Sequence, residues 1–193
     1  MAAILAVVGE AGGFCKTPTE TVRDMLGAVM TVQNDPQLQK PESRSTRASQ
    51  IKTIITDNFD TDDMASHVLG PYWERLDERK RSEFKLIFQD LFLDSYTRLV
   101  LDFLKKERIA YKAEDERGGE ATVKTVIERT SEEIPVDYSL LQKAGRWAVR
   151  DVVVDEVSIV TNYRNSFTRV IKQESYEGLL KKMRLQQKAI KKP

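Results

Sequence analysis

The sequence predicts an α+β fold in which N-terminal helices, a four-stranded antiparallel sheet and C-terminal helices follow one another along the chain. Three observations carry this prediction. Apolar residues recur at helical spacing from Val22 to Phe103, period-two alternation takes over between Ile109 and Val154, and helical spacing returns beyond Val157. The alternating segments are joined by short turns, which suits a meander and not parallel strands linked by crossovers.

In order, Thr17-Pro18-Thr19-Glu20 supplies a cap and an early proline before Val22, Met25, Leu26, Val29 and Met30, a first helix ending near Asn34-Asp35-Pro36. Pro41-Glu42-Ser43 reopens the chain, and Ile51, Ile54 and Ile55 mark a second helix running into Phe59. Asp60 or Thr61 caps a short third helix with Met64, Ala65, Val68 and Leu69, stopped by Gly70-Pro71, with Trp73 just beyond. The longest periodic segment runs from Asp77 to Leu104. Its apolar stripe is unusually aromatic, with Phe84, Phe88, Phe92 and Tyr96 joined by Ile87, Leu91, Leu99, Val100 and Phe103.

Ile109, Tyr111 and Ala113 then alternate with charges, Gly118-Gly119 makes a turn, and Thr122 to Arg129 forms the next β-rich run. Val136, Tyr138 and Leu140 alternate again before the Lys143-Ala144-Gly145 turn. In the last strand Trp147, Val149, Asp151 and Val153 alternate against Ala148, Arg150, Val152 and Val154. After Asp155 the period changes, and Val157, Val160, Tyr163 or Arg164, and Phe167 predict a helix following almost without a loop, from Ser158 to about Gln173. A final helix is expected from Ser175 to about Ala189. With no repeat and no low-complexity linker, residues 17–193 are expected to form one domain. Residues 1–16 are read as a residual signal segment or a plain flexible terminus, because the apolar run Ala2 to Val8 leads into Gly9, Ala11, Gly12 and Gly13 but is preceded by no positive charge.

Composition narrows the function. Lys plus Arg (31) balances Asp plus Glu (30), which gives no general reason to expect nucleic-acid binding. A single Cys15 allows no intrachain disulfide and no cysteine-based zinc site, and Phe14 before it opposes a lipoprotein signal. The one histidine, His67, leaves little room for a metal centre or a His-assisted nucleophile, so no metal and no cofactor are expected. No segment beyond the N-terminus approaches the roughly 18 apolar residues that span a bilayer.

Several motifs fail on inspection. Ala3 to Thr17 superficially resembles a strand entering a phosphate-binding loop, but Cys15 precedes Lys16 where glycine is required and Glu10 takes the earlier glycine site. Asp57, Asp60, Asp62 and Asp63 lack the central glycine and closing glutamate of a calcium loop, and helix capping explains them better. Glu132-Glu133 and Glu114-Asp115-Glu116 have no apolar surroundings to tune an acid/base pair. No serine occupies a glycine-flanked elbow. The basic tail of Lys181, Lys182, Arg184, Lys188, Lys191 and Lys192 either meets anionic headgroups or an acidic partner, or is a solvated helix end.

Trp147 with Asp151-Val152, Val157-Ser158-Ile159-Val160, Asn162-Tyr163-Arg164 and Phe167 resembles the C-terminal signature of MlaC-type periplasmic phospholipid-binding proteins, the toluene-tolerance family. Phe59-Asp60, Met64-Ala65, Val68-Leu69-Gly70, Trp73, Arg81, Phe84, Phe88 and the helix to Tyr96 resemble that family's middle segment, so the likeness runs from about Thr17 to Gln187. Glu156 departs from the pattern, standing where a glycine often precedes the valine-serine pair.

The resemblance implies a strongly curved sheet of the nuclear-transport-factor-2-like shape, with helices enclosing a lipid cavity. From patterning alone Phe84, Phe88, Phe92, Tyr96, Trp147 and Phe167 read as ordinary core side chains. The resemblance makes them candidate lipid contacts, with Trp73, Leu91, Tyr138, Val149, Val157 and Tyr163. Arg164 is the candidate headgroup contact, unless it pairs with a carboxylate such as Asp151. The implied function is non-enzymatic: carriage of diacyl phospholipid, as cargo and not cofactor, through the Gram-negative periplasm. The implied partners are an inner-membrane ABC transporter with its MCE-domain protein and an outer-membrane lipoprotein complex, with only transient contact to these membrane complexes. A small enzyme acting on an apolar substrate in the same cavity, a hopanoid-type lipid carrier and a helical adaptor are the alternatives.

Overall fold

The structure, a computed structural model, describes residues 16–190. The apolar run Ala2 to Val8, Cys15, and Lys191 and Lys192 of the basic tail lie outside the described residues. Helix α1 (Pro18–Asn34) opens with a capping box: Thr17 Oγ1 accepts from the Glu20 N–H, and the Glu20 carboxylate accepts from the Thr17 N–H. Two 3-10 turns (Pro36–Leu38 and Pro41–Ser43) lead to α2 (Arg44–Asn58). Asp60 Oδ1 accepts from the Asp63 N–H and caps α3 (Thr61–Leu69). Gly70, at φ +51°, ends that helix, and a 3-10 segment through Arg75 carries the chain to α4 (Glu78–Phe103).

The sheet has five strands in sequential antiparallel order: β1 (Arg108–Arg117), β2 (Glu120–Glu128), β3 (Glu133–Lys143), β4 (Arg146–Val154) and β5 (Val157–Ser158). Helices α5 (Ile159–Gln173) and α6 (Tyr176–Ile190) follow. The fifth strand is a correction to the predicted four. Asp155 (φ +48°) and Glu156 (φ +64°) form a two-residue left-handed turn that folds Val157 back to pair with Val154, so Val157 belongs to a strand and not to the apolar stripe of α5.

A second correction concerns the strict alternation expected in β4. Trp147 and Val149 are buried, but the next buried residue is Val152, because Ser139 pairs with Asp151 while the adjacent Leu140 pairs with Val149. Arg150 is therefore the extra residue of a β-bulge, and one inserted residue restores the inward face to Val152. A similar register shift surrounds Lys112 in β1. Bulges bend the strands that carry them, and the helices gather against the sheet around one continuous apolar core.

That core is organised by α4. Phe84, Phe88, Phe92 and Tyr96, each four residues apart, stack in series with ring centroids 5.9, 5.9 and 5.4 Å apart. Phe59 packs on the upper two rungs, while Tyr163 and Phe167 of α5 meet the lower ones. Phe59 is fixed in turn by a parallel bridge to Val149, in which the Asp60 N–H donates to the Val149 carbonyl at 2.9 Å. Among the described residues no helix is long and apolar enough to cross a membrane.

Candidate functional site

An apolar cavity of about 270 Å³ lies where the aromatic series runs out, between the C-terminal half of α4 and the sheet. Tyr96 is the last rung of the series and the first to reach this space. Leu99, Val100 and Phe103 continue that wall one turn further; Met25, Leu26 and Val29 of α1 add a second wall. The sheet contributes Ile127, Ile134, Val136, Tyr138, Val152 and Val154, so the β4 bulge is what turns two valines toward the cavity. Val157 of β5 and Ile159 at the start of α5 close that edge.

Three of the lining residues are also large exposed hydrophobics: Leu99 (37%), Phe103 (53%) and Val157 (58%). Their exposure places an apolar rim where the cavity meets solvent. Arg129 is the charged residue of the lining. Its Nη2 donates to the Phe103 carbonyl (2.8 Å), its guanidinium lies 5.6 Å from the Phe103 ring centroid, and its Nη1 donates to the Glu132 carboxylate (3.0 Å). Gln33 Nε2 donates to the Val100 carbonyl and reaches those of Leu101 and Leu104. Together these two side chains satisfy the carbonyls that the end of α4 leaves open and so hold the cavity wall in place.

The interior has the chemistry of a hydrocarbon site. Burial pushes the Tyr96 and Tyr138 hydroxyls far above the ordinary phenol value, for Tyr138 with further help from the neighbouring Tyr96 and Tyr111. Both therefore stay neutral and offer only a weak dipole. Among the described residues, the lining carries no carboxylate, histidine or aliphatic hydroxyl.

Of the residues singled out in the sequence, the structure brings Tyr96, Tyr138 and Val157 to the cavity lining. Phe84, Phe88, Leu91, Phe92, Trp147, Val149 and Phe167 are packed in the core, and Tyr163 lies half-buried against Phe88 and Phe167. Trp73 sits on the 3-10 segment with Arg81 and Lys85 over its ring. Arg164 lies beside a separate polar cleft, where its Nε donates to the His67 carbonyl at 2.7 Å and its chain passes over Gly70. It does not pair with Asp151, whose carboxylate instead accepts from the Val152 and Val160 N–H groups and the Ser158 hydroxyl.

Sequence reasoning passed over Arg129 and the α1 wall. The available signal for Arg129 was a lone cation closing an apolar β-run. For the rim it was the continuation of the α4 stripe through Leu99, Val100 and Phe103, past the last aromatic rung.

This arrangement defines an α+β cavity protein: helices and an open antiparallel sheet enclose an apolar space whose apolar rim is bordered by Arg129. A family model for the MlaC protein matches residues 23–185, and the chain belongs to that family. Among solved structures, a phospholipid-binding protein from Ralstonia solanacearum in complex with a phospholipid superposes with a TM-score of 0.75. The two are 19% identical, over 89% of this chain and 97% of that one, a likeness of fold. No curated protein matches the sequence.

Proposed function

We propose that this protein is a soluble periplasmic phospholipid carrier whose residues 17–193 form one lipid-binding unit that shelters acyl chains in the cavity beside Tyr96 and Tyr138. The observation that carries the reading is the apolar space itself, walled by aliphatic and aromatic side chains and rimmed by Leu99, Phe103 and Val157. Family membership supports it, as does the phospholipid held by the Ralstonia solanacearum protein.

Energetics favour such a design. Each methylene removed from water is worth about 0.8 kcal/mol, so long chains bind strongly without directional contacts in the walls. A diacyl cargo is larger than the cavity, so loading widens the gap between α4 and the sheet, and the exposed Leu99–Phe103 edge is the part of that wall least held by packing. In this role the carrier exchanges cargo with an inner-membrane ABC transporter bearing an MCE-domain protein and with an outer-membrane lipoprotein complex, touching these complexes only transiently.

The test is lipid extraction and mass spectrometry of protein purified without detergent. Diacyl phospholipid in stoichiometric amount is expected. Protein that is lipid-free, and stays so after incubation with phospholipid vesicles, overturns the carrier reading.

A further inference from the structure

Arg129 borders two spaces. On one side is the apolar cavity; on the other is a polar groove formed by the start of α2, the α4–β1 connection and the β2–β3 turn. Five cations line that groove, Arg47, Lys105, Lys106, Arg108 and Arg129, against two carboxylates, Glu107 and Glu128. The carboxylates are already engaged: Glu128 faces Arg108 at 3.4 Å, and Glu107 accepts from the Lys105 N–H and lies 3.5 Å from Arg129 Nε. Lys105 and Lys106 are exposed and, among the described residues, pair with no acidic side chain.

Unmet donors add a second observation. Arg47 donates Nη1 to the Leu38 carbonyl, yet its Nε is buried without a hydrogen-bond acceptor; Arg129 Nε is likewise without a hydrogen bond and meets Glu107 only as a 3.5 Å ion pair. Each guanidinium has five N–H donors, so both retain capacity for an anion after their protein bonds are counted. The polar cleft at the other end of the sheet offers no such surplus. There Arg117, Arg150 and Arg164 meet Asp115, Glu120 and Asp151 in equal number, and Arg150 is already bridged to Asp63, Glu120 and the His67 ring.

We infer that the Arg47–Arg129 groove seats the phosphate of a lipid headgroup and makes the protein select anionic phospholipids over zwitterionic ones. This rests on the carrier reading and adds the headgroup class. Acyl chains in the cavity leave their headgroup at the rim beside Phe103, where Arg129 is the nearest cation. Lys105 and Lys106 then provide a positive field that favours a headgroup of net negative charge and that a choline cation opposes.

The experiment offers the full-length protein vesicles containing phosphatidylglycerol and phosphatidylcholine in equal amounts and analyses the protein-bound lipid by mass spectrometry. Wild type is expected to enrich the anionic lipid by on the order of fivefold, the scale of one partly screened charge pair. The surface double variant Lys105→Gln/Lys106→Gln is expected to bring the ratio back toward that of the vesicles while total lipid per protein stays unchanged. Arg129→Gln is expected to bring the ratio back further, and to lower total lipid as well, because Arg129 also braces the Phe103 end of the cavity wall. No enrichment by wild type, or enrichment indifferent to these variants, overturns the inference even if lipid is bound. Absence of all bound lipid is instead the failure of the carrier reading. Adding inorganic phosphate separates the sources: bound headgroup selection that survives it supports a lipid site, whereas selection abolished together with tight phosphate binding by lipid-free protein assigns the groove to free phosphate.

Discussion

Lys143 Nζ lies 2.8 Å from Asp60 Oδ2 and ties the β3–β4 turn to the residue that caps α3. Asp60 is nearly buried, and its N–H also holds the Val149 carbonyl, so the pair fastens the sheet to the helices next to Phe59, which packs on the aromatic series. Burial pushes the Asp60 carboxyl up. The Lys143 ammonium and the Asp62 and Asp63 N–H groups outweigh it, leaving the carboxyl below its ordinary 3.8. The hydrogen bond to Asp60 raises Lys143 above 10.5.

From these directions follows a pH dependence. A depressed Asp60 contributes stability that is fully present above the ordinary carboxylate value and lost as pH falls through its folded value. The raised Lys143 contributes below its unfolded value and loses that contribution as pH rises through the folded one. Lys143→Met removes the interaction while burial of Asp60 remains. Its acid unfolding midpoint is therefore expected to move to higher pH than wild type, with a difference at neutral pH of no more than about 1 kcal/mol because Lys143 is largely exposed. Circular dichroism against pH checks this; an unchanged acid midpoint contradicts it.

Glu156 occupies a backbone position that suits glycine. At φ +64° its Cβ crowds the neighbouring carbonyl, a conformation that costs a side-chain-bearing residue about 1–2 kcal/mol. Glycine removes that strain and returns roughly 0.5–1 kcal/mol of it through added chain entropy in the unfolded state. Glu156→Gly is expected to raise stability by a few tenths to about 1 kcal/mol. Denaturant titration measures the change, and a loss of stability would show that the Glu156 side chain makes a contact outweighing the strain.

Asp151 holds the start of α5 against β4. One oxygen accepts from the Val152 N–H (2.8 Å) and the Val160 N–H (3.0 Å), the other from the Ser158 hydroxyl, which itself caps the helix through the Thr161 N–H. Asp151→Ala leaves these donors unpaired at a partly buried junction. It is expected to cost about 1–3 kcal/mol and to raise amide exchange in the first turn of α5 before anywhere else. Uniform exchange across the whole chain, with no local opening, would count against this anchoring role.

Much of the fold was legible because several helices carry their own punctuation: Thr17, Asp60 and Asp77 cap their helices, and Gly118-Gly119 turns the first hairpin. Two features were not. The Arg150 bulge depends on pairing between β3 and β4, and an alternation read along one strand holds no record of its partner's register. The β5 return depends on two non-glycine residues taking a left-handed turn, which Asp155 tolerates but Glu156 disfavours. The site shows the same division. Helical spacing located the aromatic face of α4, but Phe84 and Tyr96 lie on one stripe and meet different surroundings, because what separates core from cavity is the distance of the opposing layer.

That separation makes the last prediction. Val136 is buried, lies on β3 and faces the cavity, whereas Phe88 is fully buried between the rings of Phe84 and Phe92. Val136→Phe adds bulk to a space large enough to receive a ring, so the usual overpacking cost of about 1–3 kcal/mol is largely avoided. The space for acyl chain shrinks in proportion. Phe88→Leu removes aromatic contacts and leaves a void, costing about 1–3 kcal/mol, without narrowing the cavity. Lipid bound per protein after vesicle incubation is therefore expected to fall sharply in Val136→Phe at near-native melting temperature, and to persist in Phe88→Leu despite a lower one. The reverse outcome, with lipid lost from Phe88→Leu and retained by Val136→Phe, would move the acyl chains from the end of the aromatic series to the series itself.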